Sequence, residues 1–157
     1  IIKLRNTGSY QWHTFRGGTD YDYPYALAVD SNGDMYVAGV SYATWSGDGG
    51  VGPLHPHSSS GNFGDMVITK LSSTGNYQWH TYYGGSEYDE AHALTVDNDG
   101  NIYVAGDSRA SWQGDNNAAP LHPYCTSGIE FDYDAAILKL ARPPVYSERI
   151  FLPMVSK

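Results

Sequence analysis

Apolar and polar positions along this chain alternate in short bursts, and the bursts recur. In 77–83, Tyr77, Trp79, Thr81 and Tyr83 share one parity while Gln78, His80 and Tyr82 share the other. A period of two predicts a strand, with the tryptophan face against a neighbouring sheet and the Gln/His face the wetter one. YQWHTF (10–15) repeats the pattern at the start of the chain. ALAVD (26–30) and ALTVD (93–97) predict crowded interior strands, and MYVAG (35–39) and IYVAG (102–106) predict the strands that follow. The intervening turns SNGD (31–34) and NDGN (98–101) carry Gly33 and Gly100 for the positive φ of a tight hairpin. Asp30 and Asp97 are expected to accept backbone hydrogen bonds inside those turns. MVITKL (66–71) and AAILKL (135–140) predict a third strand, followed in the first copy by the turn SSTGN (72–76). No window sustains a 3.6-residue apolar period, so almost no helix is expected.

These bursts belong to a repeat. KLRNTGSYQWHTFRGG from Lys3 returns from Lys70 as KLSSTGNYQWHTYYGG, an offset of 67 residues that also relates PLHP at 53–56 to PLHP at 120–123. The register slips by two residues only after Gly61 and Gly128. Such a period marks one supersecondary unit used twice, which needs neighbours to bury its apolar faces. Four antiparallel strands per unit, stacked face to face, describe a β-propeller blade, and the expected fold is all-β with about two blades plus strands of an incomplete one. Residues 1–16 read as the closing strands of a preceding blade, 17–83 as the first repeat, 84–141 as the second and 142–157 as a Pro-containing tail. In a meander, the short turns share one end of the sheet. The opposite end carries the long second-to-third connection and the link into the next repeat, and long ordered loops on one end usually form a binding face.

The motif order GG-x-x-Y-D, ALAVD-x-x-G-x-x-YVAG, KL-x-x-TG and W-x-T-x-x-GG resembles the bacterial SBBP repeat, named for a seven-bladed β-propeller. The resemblance covers residues 1 to about 141. It implies large exported or surface-attached bacterial proteins and hence an extracellular or cell-surface location. It brings no catalytic residues, and the long W-x-G-D and PLHP loops depart from its shorter connection.

Composition narrows the function. Asp and Glu number 17 against 9 Lys and Arg, a net charge of −8. That acidity disfavours nucleic acid and anionic membrane surfaces as partners, and is compatible with cation binding. No window of 18 apolar residues predicts a transmembrane helix. Cys125 is the sole cysteine, which excludes an intrachain disulfide, and Ser58 takes its place in the first copy. The chain opens IIKL and reads as a processed or truncated product.

The acidic links GGTDYD and GGSEYDE offer Asp20, Asp22, Glu87 and Asp89 as oxygen ligands for Ca²⁺, which takes six to eight of them; no other cofactor is expected. A solvated polar turn is the competing reading. DNDGN (97–101) lacks the spacing and the distant glutamate of an EF-hand loop. TWSGDGG and SWQGDNN set Trp45 beside Asp48 and Trp112 beside Asp115, either as a carbohydrate platform or as anchors that fold each loop onto its blade. His55 and His122 in PLHP read as parts of rigid loops, and His13 and His80 as structural strand residues. No G-x-S-x-G, H-E-x-x-H or Walker sequence is present, and duplication itself argues against distinct catalytic roles. The expectation is a non-enzymatic extracellular module that assembles with other copies or further blades. Its contacts would be blade packing and edge strands at Ile1, Ile2, Leu4, Ile150, Phe151 and Leu152, extending to a surface polymer or filament. The alternative is a carbohydrate- or Ca²⁺-dependent ligand-binding module.

Overall fold

The computed structural model describes residues 1–58, 63–126, 128 and 132–141. The assembly expectation for Ile150, Phe151 and Leu152 lies outside the described residues, as does the tail. Nine strands are present among them: β1 (Ile2–Leu4), β2 (Tyr10–His13), β3 (Asp22–Val29), β4 (Met35–Ser41), β5 (Asp65–Leu71), β6 (Tyr77–Tyr83), β7 (Asp89–Val96), β8 (Ile102–Ser108) and β9 (Asp134–Leu140). They form three antiparallel meanders with orders β1-β2, β3-β4-β5-β6 and β7-β8-β9. The only helical turns among the described residues are 3₁₀ turns at Asp48–Gly50 and Asp115–Asn117. This is an all-β architecture of propeller-type blades.

The hairpin turns follow their sequence. Asp30 Oδ1 accepts the N–H groups of Asn32 (2.9 Å) and Asp34 (3.0 Å), and Asp97 Oδ1 those of Asp99 (3.0 Å) and Asn101 (2.8 Å). Gly33 and Gly100 take φ of 81° and 84°, a region that costs a side-chain-bearing residue.

The first strand of each blade starts four residues before its apolar run. Pairing of β3 with β4 continues through Tyr23 and Pro24 by means of a bulge between Pro24 and Ala26, and β7 repeats the bulge between Ala91 and Ala93. Pro24 is tolerated because β3 lies at the edge of its sheet. The bulge crowds the partner strand. A Cβ on Gly39 would lie 1.9 Å from the Tyr23 carbonyl oxygen, and one on Gly106 would lie 1.8 Å from that of Glu90. The glycine of YVAG is therefore set by close backbone approach, not by a turn.

One expectation is corrected. Gln78 is exposed, but His80 and Tyr82 on the same face of β6 are fully buried, and that face is dry. The cause is the connection leaving Ser41, which folds back so that the Trp45 indole stacks on the His80 ring at 3.6 Å and 4°. Period two fixes which residues share a face; it carries no information about a loop returning to cover it.

The hydrophobic core lies between the second and third sheets. Tyr36, Ala38, Met66 and Ile68 of one blade meet Ala91, Ile102 and Val104 of the next, with Leu94 and Val96 packed against them.

Candidate functional site: the blade junction

The blades meet through contacts that recur in part at one repeat offset. Leu94 and Val96 lie on the face of β7 turned toward the preceding blade. At the long-loop end, a residue at the end of a blade's outer strand or just beyond it bonds the carboxylate of the next blade's loop. Tyr83 donates its hydroxyl to Asp115 Oδ1 (2.8 Å), and 67 positions earlier Arg16 forms a two-pronged ion pair with Asp48, Nη2 to Oδ2 at 3.0 Å. The Arg16 hydrogen bonds hold the Asp48 carboxyl below the usual carboxylate range. His55 adds Nε2 at 3.3 Å from Asp115, so the loops of two blades meet at one carboxylate. At the short-turn end, Lys3 Nζ donates to the Ser73 carbonyl (2.8 Å) and the Trp12 ring lies over Gly75.

The tryptophan loops anchor these contacts. Trp45 is buried and its face is covered by His80. His80 Nε2 donates to the Trp45 carbonyl (3.2 Å), leaving Nδ1 to accept the Tyr77 hydroxyl (2.7 Å). Burial pushes the His80 pKa down, which keeps the imidazole neutral between two ring neighbours. Tyr82 accepts the Trp45 N–H and donates to the Ala43 carbonyl, both at 3.2 Å. Trp112 packs against the interblade core, with its ring 6.1 Å from that of Tyr83. Asp48 and Asp115 are exposed and hold the interblade bonds just described.

PLHP closes the outer edge of the four-stranded blade. Leu54 N–H bonds the His80 carbonyl (2.9 Å) and Tyr82 N–H bonds the His55 carbonyl (3.2 Å), so the loop occupies positions a fifth strand would take.

The four acidic-link residues lie apart in role. Asp20 is exposed and accepts the N–H of Tyr21, and Glu87 is half-buried. Asp22 and Asp89 turn inward and accept the N–H groups of Gly18 (2.8 Å) and Gly85 (2.7 Å), closing the GG links. Among the described residues no three His, Cys, Asp or Glu side chains converge as a metal site. At the chain start, the Ile1 amine donates to the Thr14 carbonyl (3.0 Å), while Ile2 and Leu4 are exposed on β1.

The repeat is satisfied at one junction and open at two faces. Ile68 is fully buried, whereas its counterpart Ile137 is 81 % exposed. Ala105, the counterpart of buried Ala38, is exposed on the same face. On the opposite side, Leu27 and Val29, counterparts of Leu94 and Val96, are each more than half exposed. A cavity of about 190 Å³, lined by Ile1, Phe15, Arg16, Val37, Trp45 and Val67 among others, separates the first sheet from the blade behind it. Leu121, in the second PLHP, is 98 % exposed. The sequence held a signal for the carboxylate latches that period counting passed over. Arg16 and Tyr83 stand at one repeat offset, and so do Asp48 and Asp115.

A model of the SBBP β-propeller repeat matches residues 11–44 and 78–110. Each match runs from the outer strand of one blade (β2, β6) through the first two strands of the next (β3-β4, β7-β8), so it spans a junction. The chain is also similar to Regulatory protein FlaEY of Caulobacter vibrioides, 31 % identical over 120 residues, which cover 76 % of this chain and 12 % of that relative. It thus spans about an eighth of that protein's length. Sequence motifs, strand topology and the two matched segments agree: the chain carries two SBBP β-propeller repeats.

Proposed function

We propose that this chain is a non-enzymatic protein-interaction module that associates with further blades, from other copies or from the same polypeptide, through its two open faces. One observation carries the reading: Ile137 and Ala105 on one side, and Leu27 and Val29 on the other, repeat the residues that form the internal junction but stand exposed. Burying a side chain such as Ile137 stabilises an interface by about 1.5–3 kcal/mol, and unsatisfied apolar faces mark interaction surfaces. Among the described residues no strand pairs the outer edge of β9, and the exposed second PLHP matches the loop that covers β6 in the complete blade. The finer part of the proposal is extracellular assembly at a bacterial surface, into a polymer or filament. Its support is the acidic composition, with a net charge of −8, and the repeat's likeness to exported proteins.

The carbohydrate reading gains nothing from Trp45, whose stacking face is taken by His80. The test is sedimentation of the chain across concentration, with Ile137→Asp as the disrupting variant. Concentration-dependent association that the variant weakens is expected. A single monomeric species for both proteins would overturn the reading.

A further inference from the structure

Two carboxylates, Asp65 of β5 and Asp89 of β7, are completely buried where the blades meet. Neither faces a lysine or arginine. Both point at Gly84: a Cβ there would lie 2.8 Å from Asp65 Oδ1 and 2.7 Å from Asp89 Oδ2. The absent side chain leaves the two acids facing one another.

Hydrogen-bond donors run short at Asp65, and two serine hydroxyls are shared between the pair and backbone carbonyls. Asp65 Oδ2 accepts the Ser58 N–H (2.6 Å), while Asp89 accepts the Gly85 N–H at Oδ2 and a hydrogen bond from the Trp112 side chain. The Ser58 hydroxyl stands 2.8 Å from both Asp65 Oδ2 and the Gly85 carbonyl. The Ser108 hydroxyl stands between Asp89 Oδ1 and the Ala110 carbonyl. Each hydroxyl has one proton for two acceptors. Asp65 Oδ1, fully buried, has no hydrogen-bond partner among the described residues. Two ionised acids with that deficit are costly in a low-dielectric site.

We propose that the Asp65–Asp89 pair carries one proton, held on Asp89, which makes the blade junction a pH-sensitive latch. Asp89 Oδ1–H donates to Ser108 Oγ, and the Ser108 hydroxyl then donates to the Ala110 carbonyl, so each atom of that chain has its partner. The other titratable groups facing the pair are His57 of the long loop, with Nδ1 4.0 Å from Asp65 Oδ2, Tyr82 on β6, Asp22 on β3, and Asp134 on β9 opposite Ser108. Burial, with the Asp65 charge adding to it, raises the Asp89 pKa to about 6, and burial also raises that of Asp65. A folded-state pKa above the unfolded value means that the stabilisation is complete below the unfolded carboxylate pKa of about 4, and is lost as pH rises through about 6.

Urea unfolding of the full chain between pH 4 and pH 8 tests this, comparing wild type with Asp89→Asn, whose amide stands in for the protonated acid. The stability of the variant relative to wild type is expected to grow across that range, on the order of a hundredfold in the unfolding constant. A pH-independent difference would overturn the proposal. So would CaCl₂ at pH 7 raising the wild-type midpoint and leaving that of the variant unchanged, because the pair would then hold a cation. Should the variant fail to fold, infrared spectroscopy of wild type decides. A protonated-carboxyl C=O stretch that disappears as pH rises through about 6 supports the latch, and its absence at pH 5 contradicts it.

Discussion

Trp45 shows how much of this molecule is held by single side chains reaching across it. Its indole covers His80, its backbone N–H and carbonyl bond Tyr82 and His80, and its loop carries Asp48 to Arg16. Trp45→Ala removes the lid from a buried imidazole, and a loss of about 3–5 kcal/mol in urea unfolding is expected. His80 also sets a pH limit. Its folded-state pKa lies below the ordinary histidine value, so folding favours the neutral ring. Stability is present above the unfolded pKa of about 6.5 and is lost as pH falls through the folded one. His80→Gln flattens that acid limb in a thermal melt series; an unchanged limb would show that another group sets it. The limb opposes the Asp89 latch, which is why the latch is read as a difference between variant and wild type. The sequence placed His80 correctly on a strand and in a structural role. It did not place it in the dry interior, because the contact joins residues 35 positions apart through a returning loop. Asp30 and Asp97 were legible because their partners lie within four residues.

At the scale of the element, the strands read well and their starts read less well. Apolar alternation located the later strands of each blade nearly to the residue. The apolar run predicts a first strand from Ala26, whereas pairing begins at Asp22. Tyr-Pro-Tyr has the composition of a link, and a bulge that keeps it paired leaves no periodic trace. What records the bulge is the glycine opposite. Gly39→Ala and Gly106→Ala each drive a methyl into a backbone carbonyl, which cannot move as a side-chain tip can. Losses of about 1–3 kcal/mol or more are expected from each, measured by denaturant midpoint. A variant as stable as wild type would mean that the bulge relaxes freely. PLHP is a second element whose role came only with the structure: proline-flanked and without periodicity, it lies along β6 and shields its edge.

For the whole molecule, the repeat announced that blades need neighbours, and the exposure of its residues says where. One junction is closed by Leu94 and Val96 against Met66 and Ile68, and the matching residues on either side are open. The most direct test of the central claim is therefore sedimentation equilibrium of the chain beside Ile137→Asp and Leu27→Asp. The account predicts reversible self-association that either substitution weakens, with the double variant monomeric at concentrations where wild type is not. A wild-type chain that remains a single monomeric species over the whole concentration range would contradict it.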